Sequence, residues 1–431
     1  MLASSSRHGH RARVACALVA LVFPVWSWPG PAAALPAAPV EVQVSSANFA
    51  DIEFDSARTG NYCPTCNYGA GNSRVTFVDN NNVLWVGGVD FQTGAFVPAD
   101  GRGTMVDTNA AFLTDFGNGP TWSISAAGSM LVYTRYADGQ PQSPDTAGIG
   151  LAQPTPAGWS AGLIPGTMQR ASPKSTTDIT APFARISYGN SIKGDESTYW
   201  MDLNGSATEV KMPVTDPNRG LALRWVDGTH KLIYVEPAAP DANGQVWRQV
   251  FLYDTDALTL EQLTSDPVDK RSAFMWSAPE FGGAMVFFVI AGTSTADRFD
   301  LYRHALNGSG GTTWMKYQSI TTPAKEPFIS GSPEAFAHNG QSWIVLSLCA
   351  TSGFTSASTD IAIASIDPKR PVLRQLTNAL SPNRWRADPE YFVTAKGPFI
   401  YYTRSYPGTT TRPPISEGIF YVDTGLGPKA P

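Results

Sequence analysis

Three glutamates each follow a proline in the C-terminal half of the chain. They are Glu280 in Ala278-Pro279-Glu280-Phe281, Glu334 in Ser332-Pro333-Glu334-Ala335-Phe336, and Glu390 in Asp388-Pro389-Glu390-Tyr391-Phe392. Carboxylates held at one level around an axis could bind a cation, orient sugar hydroxyls or supply an acid/base pair. Glu53, in Asp51-Ile52-Glu53-Phe54, joins them by analogy. Beside Glu390, Arg386 and Asp388 form a charged pair and Trp385 an aromatic plate of the kind a sugar ring can lie on. The ligand-binding candidates are therefore Glu53, Glu280, Glu334, Trp385, Arg386, Asp388 and Glu390, and the catalytic candidates are Glu280, Glu334 and Glu390. Lys270, Arg271 and Arg384 lie in the lead-in stretches and make the surroundings mixed in charge. A structural reading competes with these and outweighs them. Proline suits the start of a strand because no ladder donor is needed there, and a glutamate after it can cap a turn or pair with an arginine.

Other chemistries have less support. Past the first forty residues the histidines are His230, His304 and His338. His338, in Ala337-His338-Asn339-Gly340, and His230 read as equivalent solvent-exposed turn residues. No histidine pair has metal-ligand spacing, no glycine loop is built to cradle phosphate, and no Gly-x-Ser-x-Gly elbow precedes a helix. Neither a metal nor a cofactor is expected. Asp79-Asn80-Asn81-Asn82 and Asp254-Thr255-Asp256 lack the full calcium-loop pattern and read as turns. Cys63-Pro64-Thr65-Cys66 reads as a small disulfide loop between Cys63 and Cys66. Cys349, in an apolar run, reads as a buried small residue.

The Pro-Glu phrase recurs after 334 − 280 = 54 and 390 − 334 = 56 residues, a period that signals a propeller or related array. Each copy leads into an apolar, aromatic run such as Trp343-Ile344-Val345-Leu346. Strand-like runs alternate with Gly and Pro turns throughout, and no amphipathic helix stands out, so the fold class is all-β. Phe54, Trp122, Phe183, Trp225, Phe281, Phe336 and Phe392 read as the aromatics ending seven first strands. The expected architecture is a single β-propeller over 35–431 with four-stranded blades, seven in number, although six or eight would also suit the length. The last unit lacks a fourth strand, and Val40-Glu41-Val42-Gln43-Val44 alternates cleanly, so this N-terminal strand is expected to close the ring. Residues 135–180, rich in Pro, Gly, Ser and Thr, read as a surface insertion between blades two and three.

Gln-Leu-Thr at 262–264 and 375–377, Trp-Ser-x-x-x-x-Gly at 122–128, and aromatic strands ending in Asp-x-x-Gly turns resemble TolB-type propeller repeats. The resemblance covers most of 50–425. It implies a propeller fold and an exported, periplasmic or secreted setting; such repeats occur in scaffolds and in peptidase accessory domains, so it implies no particular chemistry. The units here are longer than the family's usual repeat, which implies long loops on one face and departs from its six-bladed count.

The 431 residues are 42% hydrophobic and 11% aromatic, enough for a large core, and only 16% charged. A net charge of −5 without a basic stripe argues against nucleic acid as a partner. Arg7, Arg11 and Arg13, the short apolar run 14–25 and Ala32-Ala33-Ala34 read as a signal peptide over 1–34. No later stretch is apolar and long enough to span a membrane. The chain is thus expected to be a secreted or periplasmic monomer that binds a protein, peptide or glycan without catalysis. The alternative is a carbohydrate-active glycosidase or lyase using the mouth carboxylates.

Overall fold

The computed structural model describes residues 40–46, 52–55, 73–112, 119–192, 197–206, 208–214, 223–292, 295–306, 312–351, 358–377, 383–408 and 415–429. Residues 1–34, read above as a signal peptide, and Cys63 and Cys66, read above as a disulfide, lie outside these residues. Seven antiparallel sheets stand in a ring as the blades of a β-propeller. A short N-terminal strand, β1 (Val42–Ser45), belongs to the last of them.

Blade one holds β2 (Glu53–Phe54), β3 (Ser73–Val78) and β4 (Leu84–Val89), with an outer strand in two pieces, β5 (Phe96–Val97) and β6 (Thr104–Asp107). Blade two follows with β7 (Thr121–Ser125), β8 (Gly128–Tyr136), β9 (Ala147–Thr155) and β10 (Gly158–Leu163). Blade three has β11 (Arg170–Ser175), β12 (Arg185–Asn190), β13 (Thr198–Asp202) and β14 (Val210–Lys211). Blade four has β15 (Arg224–Trp225), β16 (Lys231–Pro237), β17 (Arg248–Asp254) and β18 (Thr259–Gln262). Blade five is built from β19 (Lys270–Ala278), β20 (Ala284–Gly292), β21 (Asp297–Leu306) and β22 (Thr312–Thr321). Blade six uses β23 (Phe328–His338), β24 (Gln341–Cys349), β25 (Thr359–Ser365) and β26 (Leu373–Gln375). Blade seven combines β27 (Trp385–Thr394), β28 (Gly397–Tyr406) and β29 (Ile415–Asp423) with β1. The seven-blade count and the closing N-terminal strand agree with the sequence reading.

Sequence follows position within a blade. The second strands β20 and β24 are near-continuous apolar runs because neighbouring blades cover both their faces. The outer strand β18 reads Thr-Leu-Glu-Gln and is exposed throughout. Between blades the core is aromatic: the Phe54 ring lies 5.2 Å from Phe392 and 4.8 Å from Tyr401, joining blade one to blade seven. Offset and tilted contacts of this kind add to the area they bury.

The stretch 135–180 differs from its reading as an insertion. It carries the end of β8, all of β9 and β10, and β11, so it forms the outer half of blade two and the inner edge of blade three. Its glycines and prolines disguised these strands. Gly150 faces the Tyr133 ring so closely that a Cβ would meet it at 2.7 Å, which is why this strand cannot carry a bulkier apolar residue there.

Candidate functional site

The first strands β7, β11, β15, β19, β23 and β27, with β2, run along the inner edges of their sheets around the axis. Four of them share a device that positions charged residues. In β11, β19, β23 and β27 the pairing with the second strand breaks at a bulge and then resumes at Lys174, Phe274, Glu334 and Glu390. Each bulge contains one residue in the left-handed region: Ser172 (φ 57°), Ser272 (φ 50°), Gly331 (φ 75°) or Asp388 (φ 54°). Bulges re-aim side chains and suit proline, which here is Pro173, Pro333 and Pro389.

This register corrects the expectation that Glu280, Glu334 and Glu390 share one level. Glu334 and Glu390 do hold equivalent places, and both are buried. Their counterpart in blade five is Phe274, and in blade three Lys174. Glu280 lies past the end of β19 in the 3-10 turn Pro279–Phe281, where its carboxylate accepts the Ser342 N–H (3.0 Å) and the Ser342 hydroxyl (2.7 Å) of blade six. Blade five places Pro-Glu at the strand's exit turn, whereas blades six and seven place it in the bulge. The aromatic landmarks shift for the same reason. Phe281 packs edge-on against Tyr317 at 5.3 Å, and Trp276 takes the inner position, its indole N–H donating to the Ser342 hydroxyl at 3.0 Å. Phe183 lies between β11 and β12 rather than at the end of a first strand.

Glu334 faces a residue that local patterns had not singled out. Arg224 of blade four places Nη1 2.5 Å from Glu334 Oε1, with 13% and 4% of the two side chains exposed. The guanidinium also stands 5.3 Å from the Phe274 ring centroid, so the pair passes in front of blade five. Glu53 is buried, and its carbonyl accepts the Trp122 indole N–H at 3.2 Å. Trp385 is half-buried at the start of β27.

Arg386 is fully buried and belongs to the closure of the ring. Its Nε and Nη2 donate to the two carboxylate oxygens of Glu41 at 2.7 and 2.8 Å. Burial pushes the Glu41 carboxyl up, but hydrogen bonds from Arg386 and Tyr402 outweigh it and hold the group below its ordinary value. The lead-in cations are also engaged: Lys270 lies 2.6 Å from Asp266, Arg271 pairs with Asp297, and Arg384 lies 2.5 Å from Glu417. Glu41 stood in the sequence as one position of an alternating strand, and only its partner 345 residues away explains it.

The Gln-Leu-Thr motif has a structural task. The Thr264 and Thr377 hydroxyls accept the N–H of Val250 (3.0 Å) and of Ile361 (2.9 Å), near the start of the third strand in blades four and six. Thr167 does the same for Ile149 in blade two, at 3.1 Å. The Asp turns are turns as expected: Asp79 Oδ1 accepts from the N–H of Asn81 (2.9 Å) and of Val83 (3.3 Å). Cys349 is buried and free. His338 differs from its expected exposure: it ends β23 buried, with Nε2 3.0 Å from the Gly427 carbonyl. His230 is only partly exposed and holds Asp256 at 3.0 Å.

A groove of 430 Å³ lies off the axis, between the outer part of blade two (Leu151, Leu163) and Met201 and Leu203 of blade three. Among the described residues no group of three or more His, Cys, Asp or Glu could hold a metal ion. No helix among them is long and apolar enough to cross a membrane.

No family model matches the chain, and no curated protein matches it by sequence. Solved structures do align with it at low identity. Dipeptidyl peptidase 4 of Porphyromonas gingivalis is 14% identical over 77% of this chain and 48% of its own, with a TM-score of 0.39. Acylaminoacyl peptidase of Pyrococcus horikoshii is 12% identical over 88% and 52%, with a TM-score of 0.45. A sialidase of Trypanosoma rangeli is 11% identical over 80% and 57%, with a TM-score of 0.40. The chain thus spans about half the length of the peptidases it aligns with, and the resemblance to TolB-type repeats stands on the sequence motifs alone.

Proposed function

We propose that this protein is an exported, non-catalytic propeller that binds a protein, peptide or glycan over the face where the chain enters its first strands. The observation that carries the reading is that three of the candidate charges are engaged by other groups of the protein. Glu334 is held by Arg224, Arg386 by Glu41, and Glu280 by Ser342. A hydrolytic pair needs two carboxylates about 5–10 Å apart over an open pocket, and the groove described above lies away from these acids. Groups tied to one another in this way serve a rigid scaffold, and binding falls to the surface around it. Trp385, half-buried beside the bulge of blade seven, is the aromatic assigned to that contact.

The test applies the full chain to peptide and glycan arrays, alongside Trp385→Ala and a Glu334→Gln/Glu390→Gln double variant, with a polysaccharide panel assayed for turnover. Specific capture that weakens about tenfold in Trp385→Ala, without turnover by any form, is the expected result. Polysaccharide cleavage that disappears in the double variant would overturn the reading in favour of a glycosidase or lyase.

A further inference from the structure

Every blade but the second protects the outer edge of its sheet. Blade one splits that edge into two short pieces, β5 and β6, the second ending in Asp107. β14 is two residues long and ends in Lys211. β18 carries Glu261, β22 carries Lys316 and β26 carries Arg374, while β1 is bulged between Gln43 and Ser45. Charges, short strands and bulges are the means by which sheet edges are kept from pairing with other chains. β10, Gly-Trp-Ser-Ala-Gly-Leu, has six residues, no charge and an unbroken register with β9. Among the described residues no strand pairs with its other side.

The register says which groups point outward. The Ile164 N–H donates to the Ile149 carbonyl at 2.8 Å, and Pro154, which has no N–H, lies opposite Trp159. Alternation along an antiparallel pair then turns the backbone groups of Gly158, Ser160 and Gly162 toward β9. The N–H and C=O of Trp159, Ala161 and Leu163 point away from it. Nothing crowds the strand on its small residues: a Cβ on Gly158 or Gly162 would meet no atom within 4 Å, and Ser160 is exposed. The groove between blades two and three runs along Ser160, Ala161, Gly162 and Leu163.

We propose that β10 pairs with β10 of a second copy of this chain, antiparallel about a twofold axis at Ala161. The strand is self-complementary in that register. Trp159 falls beside the partner's Leu163, Ser160 beside the partner's Gly162, and Ala161 beside the partner's Ala161, so large meets large and small meets small. The outward residues of each strand exchange N–H and C=O with those of the other, which joins two four-stranded sheets into one continuous sheet. Charge agrees with this occupant. β10 holds none, so no like charges face one another across the axis. The one carboxylate lining the groove, Asp202, is already held by Arg185 at 2.6 Å, which leaves a charged segment no counter-ion there. The dimer departs from the monomer expected on sequence grounds.

The test is sedimentation velocity of the full chain from about 1 to about 100 μM, alongside Ala161→Pro and Ser160→Lys. An interface the size of one strand belongs to the weak class, so the natural sequence should be half dimeric on the order of 10 μM. Ala161→Pro removes an outward donor while leaving the bonds to β9 in place, and should raise the dissociation constant at least about tenfold. Ser160→Lys sets a charge on an exposed position beside the axis, and should weaken the dimer strongly at low salt and less at high salt. Should the proline variant not fold, the lysine variant decides alone. A chain that stays monomeric throughout leaves the edge to a foreign extended peptide and would overturn the pairing, as would a dimer that Ser160→Lys does not weaken.

Discussion

Glu334 and Arg224 sit on blades six and four, and their contact in front of Phe274 makes a largely buried ion pair. Removing one member of such a pair strands the other charge in a poor solvent. Arg224→Met is therefore expected to cost about 3 kcal/mol of stability, with Glu334→Gln restoring most of it in the double variant, as measured by denaturant titration. Glu280 makes a smaller contribution: Glu280→Ala loses two hydrogen bonds to Ser342 and should cost about 1–2 kcal/mol. At this scale the sequence was legible in residue type and illegible in partnership. Pro-Glu marked three real acids, but nothing local separates an exit turn from a bulge, and no pattern joins Arg224 to a residue 110 positions away.

The recurring element is the bulged first strand. Its signature is a left-handed residue followed, in three of the four cases, by proline: Ser172-Pro173, Gly331-Ser332-Pro333 and Asp388-Pro389. Ser272-Ala273 in blade five has the geometry without the proline, and the Pro-Glu pair of that blade, Pro279-Glu280, belongs to the exit turn instead. A side chain at positive φ is strained, and glycine relieves that strain. Ser272→Gly is accordingly expected to raise stability by about 0.5 kcal/mol, observed as a higher melting temperature. The threonine at the end of Gln-Leu-Thr was visible as a repeat, while its hydrogen bond to the third strand was not. Replacing Thr264 or Thr377 by valine leaves the Val250 or Ile361 N–H without that acceptor, and each change should cost about 1–2 kcal/mol.

For the whole molecule, the period of about 56 residues survived in the sequence because every blade must bury both faces of its middle strands against its neighbours. Blades two and three were the least legible, since tight contacts such as Gly150 against Tyr133 replaced bulky strand residues with small ones. The arrangement also ties stability to the N-terminal strand. A chain lacking residues 1–46 loses β1 and Glu41 together, leaving Arg386 buried beside Asp360 without its bidentate partner. It is expected to melt well below the full chain, and adding the excised 40–46 segment in trans should recover part of the loss.

That strand also imposes an order of events. Val42 pairs with Tyr421, so β1 must wait for a strand that is translated long after it. Blades one to six can each form from contiguous chain as it emerges, whereas blade seven lacks its outer strand until both β1 and β29 are present. The slowest contact to form is thus the one that completes the circle, because a loop of nearly the whole chain has to close before it yields any stabilisation. Until then the β29 edge stays open to any extended segment that reaches it first, which makes vectorial emergence a hazard that the Glu41–Arg386 pairing resolves in favour of the chain's own beginning.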